Sequence, residues 1–340
     1  MSGFPFAISL LLMAVAIFNA WPGTASAQTS RSPGNTNTAA AAYPNAPIRF
    51  VVPFAPGAGN DIVSRRVGQL LSESFHQPVI IDNQAGAGGI IGIAQVARSA
   101  PNGLTIGMGS TSTLAIGPYM MKNPPYDPVK DIAPVTLIAS APYIVLTHPG
   151  VPVNSLAELI AYIKTNSGKL NYSTAGIGTT PHLGVEMFKH LAGLDITHIP
   201  FKGAAPATAA AVAGEVQMHY GPLVSTLTLA KTKKLKALAM TGEQRSPAIP
   251  EVPTVAESGY PGYQSTNWYG IVVPARTPAA IIERLDREIA RQIAAPEFRA
   301  QLNNDGAQVY EKTPKEFGDF IAMESGNYRK LIRELNLSIE

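Results

Sequence analysis

From residue 48 onward, short apolar runs alternate with stretches whose apolar residues recur at helical spacing. The apolar run at 48–54 predicts a strand, and 61–75 predicts the helix after it. The alternation repeats with a strand at 78–82, a helix at 89–99, a strand at 104–109 and a short helical piece near 114–121. This βαβαβ order predicts a mainly parallel sheet with helices on both faces. Residues 132–146 form a long apolar stretch with little helical period, read as an extended crossover.

A second alternation follows. Helix 156–165 is opened by Asn154 and Ser155 as cap candidates. Strands at 170–173, 196–201, 216–220 and 235–241 are then separated by helices at 181–191, 206–213 and 223–231. Residues 268–273 look like a second crossover, and the C-terminal third reads as helical. Segment 278–294 sets Ile281, Leu285, Ile289 and Ile293 on one stripe, and 314–335 does the same with Phe317, Ile321, Tyr328, Leu331 and Leu335. Two α/β units joined by two crossovers describe a hinged, two-lobed protein, with residues 44–142 and 270–340 in one lobe and 143–269 in the other. A ligand is expected between the lobes, at the carboxyl ends of the strands.

The N-terminus breaks this rhythm. Residues 4–21 are mostly apolar and lead to Ala25-Ser26-Ala27, the small-x-small form of a signal-peptidase site. No Lys or Arg precedes the apolar run, which leaves an uncleaved anchor as the alternative. Pro5 and Asn19 shorten the run below the roughly 20 residues of a spanning helix, favouring a signal peptide at 1–27 cleaved after Ala27. Residues 28–43, rich in Ser, Thr, Asn, Ala and Gly, read as a flexible leader. The chain has no cysteine, which excludes disulfides, a lipoprotein anchor and thiolate chemistry, and an export signal without disulfides suits a bacterial periplasm. A net charge of +3, spread along 340 residues, gives no reason to expect nucleic acid as a partner.

Four strand-to-helix loops are small, Gly-rich, hydroxyl-rich and nearly uncharged. The first, Phe54, Ala55, Pro56, Gly57, Ala58, Gly59, Asn60 and Asp61, closes the run I-R-F-V-V-P-F-A-P-G-A-G-N-D. The others are Gly109, Ser110, Thr111, Ser112 and Thr113, then 174–180 with Gly176, Gly178, Thr179 and Thr180 leading to His182, and last Lys202 and Gly203. Glycine lets backbone amides approach a ligand, and a helix N-terminus presents unpaired N–H groups with the positive end of its dipole. Such loops facing one cleft could hold a carboxylate without a buried arginine. Each loop alone is equally readable as turn chemistry, and Asp61 is expected to cap its own helix.

Other chemistry finds less support. Gly86-Ala87-Gly88-Gly89-Ile90-Ile91-Gly92 departs from G-x-G-x-x-G, and no Asp or Glu lies between Asn83 and Tyr126 to bind a ribose. Close packing of helix and loop is the better reading there. His182, Glu186 and His190 are spaced by four, which a metal site could use; a solvated helix face with a weak Glu–His pair, or His182 near a ligand at the helix start, is the better reading. No G-x-S-x-G occurs. A secreted hydrolase using Ser110 or Ser173 remains an alternative, testable by the distance from either serine to a histidine.

Taken in order, several segments resemble the receptor family of tripartite tricarboxylate transporters, the Bug-type extracytoplasmic solute-binding proteins. They are Y-P-N-A-P-I-R-F-V-V-P-F-A-P-G-A-G-N-D-I from Tyr43, N-Q-A-G-A-G-G-I-I-G from Asn83, A-G-I-G-T-T-P-H-L-G-V-E-M-F from Ala175, H-I-P-F-K-G-A-A-P-A from His198 and P-E-V-P-T-V-A-E-S-G-Y-P-G-Y from Pro250. The resemblance implies a periplasmic-binding-protein-like, Venus-flytrap fold and no catalysis. It implies no cofactor and no metal, a small carboxylate ligand, and a monomeric receptor docking on a permease of one large and one small subunit; a sensing role without transport is a variant of the same reading. It also implies that the 54–61 and 176–182 loops contribute to the ligand site, with 109–113 a further contact. The family's usual P-G-G is Pro56-Gly57-Ala58 here, and Ser110-Thr111-Ser112 replaces a Gly-Thr-His-like segment.

Overall fold

The computed structural model describes residues 43–339; the signal peptide and most of the leader lie outside them. The first half runs β1 (Ile48–Val52), α1 (Gly59–Phe75), β2 (Val79–Asn83), a 3-10 turn (Ala87–Gly89), α2 (Ile90–Arg98) and β3 (Thr105–Ser110). A π-helical turn (Thr111–Ile116) and α3 (Gly117–Met120) then lead to β4 (Ile132–Thr147). The second run comprises α4 (Leu156–Thr165), β5 (Asn171–Thr174), α5 (Thr180–Ala192), β6 (Thr197–Pro200), α6 (Ala204–Val212), β7 (Met218–Pro222), α7 (Leu223–Lys231) and β8 (Lys236–Met240). The chain ends with β9 (Thr266–Pro274), α8 (Ala279–Ile293), α9 (Pro296–Asn304), β10 (Gln308–Lys312) and α10 (Pro314–Glu334).

β4 organises the molecule. Its N-terminal part pairs antiparallel with β9 and β10, in a sheet ordered β2-β1-β3-β9-β4-β10. From Tyr143 onward it pairs instead with β7 and β8, in a sheet ordered β6-β5-β7-β4-β8. Strands β1, β2 and β3 run parallel, as do β5, β6 and β7. The fold is thus the expected two-lobed α/β arrangement. β4 is buried along nearly its whole length, which explains its continuous apolar sequence. Thr241, fully buried, ties the two crossing segments together: its Oγ1 accepts from Tyr143 N and donates to Ser265 O, and its carbonyl accepts from Ser265 N.

Each sheet carries its own core. Ile281, Leu285, Ile289 and Ile293 of α8 are buried against the first sheet, as the stripe predicts. Phe317 and Ile321 of α10 are buried, whereas Tyr328, Leu331 and Leu335 are partly covered. Gly270 on β9 lets α10 approach: a Cβ there would lie 2.2 Å from the Phe317 ring and 3.0 Å from the Thr136 carbonyl. Gly270→Ala is therefore expected to lower stability by about 1–3 kcal/mol through overpacking, measured by the urea midpoint.

Three expectations are corrected. Tyr43, assigned to the leader, is buried and its hydroxyl donates to Gly103 O at 2.8 Å, so ordered chain includes it. The C-terminal third is not all helical, because β10 adds an edge strand to β4. The 109–113 segment is not an open loop: β3 runs through Ser110 straight into the π-helical turn, where the helical piece expected from 114 already begins at Thr111.

Candidate functional site

The turn between β1 and α1 is fixed from behind. Ala58, the residue before α1, offers no side-chain cap, so the Asp61 carboxylate reaches back one turn instead. Its Oδ2 accepts from Gly57 N and from Arg65 Nε, both at 2.9 Å. Its Oδ1 accepts from Asn83 Nδ2, which also donates to Phe54 O. Gly57, at φ 80°, supplies the left-handed step the turn requires. Asp61 and the Gly57 amide, both expected to touch ligand, are thus engaged within the loop, and Pro56 and Gly57 are exposed on its outside. The Gly59, Asn60 and Asp61 amides, at the start of α1, have no acceptor within the helix. The buried Asn60 Nδ2 is another donor without a partner.

Burial alone would raise the Asp61 pKa, but the hydrogen bonds from Arg65, Gly57 and Asn83 outweigh it and hold the carboxyl below its ordinary value. Its contribution to stability is therefore full above the unfolded value near pH 4 and lost as pH falls through the lower folded value. Asp61→Ala is expected to loosen the turn, weakening ligand affinity about tenfold while lowering the melting temperature by only a few degrees. Calorimetric titration beside a thermal melt checks both.

The 110–113 turn is internally satisfied. Ser110 N donates to Thr113 Oγ1, Thr113 Oγ1 donates to Ser110 O, and Thr111 Oγ1 bonds Thr266 O and Trp268 N. Ser112 is the exception, because it reaches the other sheet's helix. Its Oγ accepts from Thr180 N and hydrogen-bonds Thr180 Oγ1, each at 2.9 Å, and all these groups are buried. The 174–180 loop folds on itself through Thr179 Oγ1 to Gly176 O and Gly176 N to Thr174 Oγ1.

Behind this loop, His182 stacks on His198 at 4.6 Å, and His198 stacks on Tyr172 at 4.7 Å. Glu186 takes the Tyr172 hydroxyl at 2.6 Å and Lys189 at 2.9 Å, while His190 is exposed. The 182–186–190 spacing therefore does not converge, and among the described residues no acidic, Cys or His cluster is placed to hold a metal. Burial lowers the pKa of His182, and burial together with the neighbouring His182 pushes His198 down to about 4. These rings are neutral at neutral pH, so they add no positive charge to the cleft.

One observation bears on hydrolysis. Ser173 Oγ lies 2.9 Å from His219 Nδ1, within hydrogen-bond reach. The other ring nitrogen faces Thr208 Oγ1 at 3.0 Å rather than a carboxylate, and Ser173 Oγ also donates to Ala207 O. Both residues are buried. The pair lacks the acid that orients a catalytic histidine and a face open to substrate. Burial pushes His219 down to about 4. The unfolded chain binds protons that His198 and His219 refuse, so stability is expected to fall as pH drops from about 6.5 to 4. A urea-midpoint series across that range checks this, and His219→Gln should flatten part of the slope.

The loops of the two sheets meet around a cavity of about 640 Å³. Phe54, Ala55, Gly176, Lys202 and Gly203, all expected at the site, line it. Ala58 packs with Phe54, Ala175 and Ala204 close by. The approach is tight: a Cβ on Gly88 would lie 3.1 Å from Ile177 O, and one on Gly203 would lie 3.6 Å from Ala55 Cβ. Sequence reasoning missed five contributors: the Ala85–Gly89 stretch, Met121, Pro200, Phe201 and Ile339. The first carries a signal in its glycine density, which close packing alone also explains. Packing also holds, since Gly92 would place a Cβ 2.8 Å from Pro53 Cα. Ile339 had no signal and reaches the cavity only because its N–H donates to Met120 O. A Cβ on Gly109 would lie 2.7 Å from Leu114 Cδ1, and Ser110 is buried; neither lines the cavity. A separate cavity of about 610 Å³ lies between α5 and α10, lined by Leu183, Trp268, Phe320 and Tyr328, with none of the glycine loops around it.

Two sheets joined by shared crossing strands, with their loops facing one cavity, define a solute-binding protein of the periplasmic-receptor type. The chain belongs to the tripartite tricarboxylate transporter family of receptors, whose family model matches residues 63–337. It is 33% identical over 331 residues to Protein BugT of Bordetella pertussis, covering 97% of this chain and 98% of that one. It superposes on the periplasmic binding protein BugD with a TM-score of 0.84 at 30% identity, covering 88% of this chain and all of that one. It also superposes on R. palustris Rpa4515, a structure with adipate, with a TM-score of 0.85 at 29% identity, covering 87% and 99% of the two chains.

Proposed function

We propose that this receptor captures a small organic carboxylate in the cleft between two lobes and delivers it to a two-subunit inner-membrane permease. In this reading residues 44–142 and 270–340 form one lobe and 143–269 the other, hinged where β4 changes sheets and where Thr241 ties Tyr143 to Ser265. The observation that carries it is the convergence of glycine loops and helix starts on one cavity whose neighbouring histidines are neutral. Such a wall offers backbone N–H donors but no buried counter-charge, which suits an anion held by hydrogen bonds and helix dipoles. The adipate bound by the R. palustris relative supports the ligand class. The role is binding rather than catalysis: the Ser110 hydroxyl is engaged with Thr113 Oγ1, and the Ser173–His219 pair lacks an acid.

The place of action is the periplasm, reached by the signal at 1–27. Among the described residues, no helix is long and apolar enough to cross a membrane. Thermal melts against a panel of small organic acids test the reading, after co-purified ligand has been removed. An acid at 100 times its Kd should add about 2.7 kcal/mol of stability. No stabilisation by any acid in the panel would count against it. Co-precipitation with a permease subunit tests the partner.

A further inference from the structure

We infer that the cavity between α5 and α10 is a second binding site, for an organic ammonium compound with an apolar body, and that Glu324 with the rings of Trp268, Phe320 and Tyr328 recognises its charged head. The inference is independent of the carboxylate reading above.

The cavity lies on the opposite face of β9 from the start of α1. Successive residues of a strand point to opposite faces. Tyr269 faces α1, where a Cβ on Gly59 would lie 2.6 Å from its hydroxyl oxygen, and Trp268 lines the cavity. Gly184 lets α5 close down on the crossing segment, since a Cβ there would lie 2.6 Å from Ser265 Oγ. The other wall is α10. Phe320, Glu324 and Tyr328 are spaced by four along it, so they share one face. A volume of about 610 Å³ is room for a small organic molecule. The rim is open to solvent, with Tyr310 44% and Met323 54% exposed.

Glu324 decides what fits. Its side chain is half-buried, and burial raises its pKa. The Trp268 indole N–H is the one group that opposes this, and no cation contributes. That N–H is itself buried and reaches no acceptor in full hydrogen-bond geometry. Burial and the Glu324 charge together push the Tyr328 pKa up, so the carboxylate and this ring are neighbours. A carboxylate held among rings without a counter-ion has lost water and gained little in return. An ammonium head answers both needs, because it pairs with the carboxylate and is attracted to the ring faces. The Trp268 and Phe320 rings meet at 67° with centres 5.8 Å apart, forming a corner for such a head. The protein's own Lys312 shows that this corner accepts a cation, since its Nζ stands 5.7 Å from the Phe320 ring centre. Among the residues lining the cavity, Lys312 and Glu324 alone are charged. A carboxylic acid placed beside Glu324 would meet a like charge. Leu183, Met187 and Leu331 supply apolar surface for the body of the ligand.

Trp21 and Trp268 are the chain's two tryptophans, so in the secreted protein cleaved after Ala27 the Trp268 indole alone reports occupancy. Fluorescence titration compares 2-phenylethylamine with 2-phenylethanol, which carries the same body and a hydroxyl in place of the ammonium. The expected result is a saturable change in Trp268 emission, with a Kd for the amine about tenfold or more below that for the alcohol. Glu324→Gln keeps the size of the side chain and removes its charge. Because Glu324 joins no ion pair within the fold, the substitution leaves the protein folded, as circular dichroism will verify. It should bring the two Kd values to within about threefold of each other. No change in emission with the amine, equal binding of amine and alcohol, or an amine preference that survives Glu324→Gln each overturns the inference. None of these outcomes touches the carboxylate reading, which is tested by organic acids at the other cavity.

Discussion

Gly88→Leu should reduce ligand affinity by at least a hundredfold while leaving the protein folded. Gly88 sits at φ 64°, and its position for a Cβ is 3.1 Å from Ile177 O and 3.4 Å from Thr179 Cγ2. The backbone carbonyl cannot move aside alone, so a branched side chain would prop the two loops apart. The left-handed conformation adds about 1 kcal/mol of local strain, which the fold can absorb. A protein that binds only when closed would then have its competent state depopulated, and the apparent Kd rises by the inverse of that population. Calorimetric titration reads the affinity, and circular dichroism confirms the fold. Retained affinity would show that the loops need not approach this closely.

Ser112→Ala is expected to have the next largest effect. Ser112 Oγ is the acceptor for Thr180 N and a partner of Thr180 Oγ1, across the gap between the two sheets. Removing it leaves a buried N–H unsatisfied, which costs about 1–3 kcal/mol in the closed form, or roughly 5- to 150-fold in affinity. In an open form Thr180 N can meet water, so stability without ligand should change little. The informative signature is a faster ligand off-rate with a nearly unchanged melting temperature for the empty protein. An equal loss of stability with and without ligand would mean that the bond is a fixed part of the fold rather than a clasp made on closure.

Much of the architecture was legible because local pattern and final environment agree. The long apolar runs that became β4 and β9 are buried on both faces, and the α8 stripe Ile281, Leu285, Ile289 and Ile293 lies in the core. β10 was not legible: Gln308–Lys312 is polar, lies at an edge and is a strand only because β4 is beside it. The site divides in the same way. The Phe54–Ala55, Gly176 and Lys202–Gly203 loops announced themselves by composition. Asp61 and Gly57 did not reveal that they bond each other, because a sequence shows that an amide exists and not where it points. Ser112 could not be told from its neighbours Ser110 and Thr111, although only it crosses to Thr180. Ile339 enters the cavity through a β-bridge to Met121, a contact between residues far apart in sequence.

The most direct measurement is a crystal structure of the protein with a bound acid. The account predicts the carboxylate against backbone amides of the glycine loops around the cavity of about 640 Å³, with the body of the molecule between Phe54, Ile177 and Phe201, and with Ser112 bonded to Thr180. An acid seated instead in the α5–α10 cavity beside Trp268 and Phe320, with the glycine loops empty and apart, would contradict it.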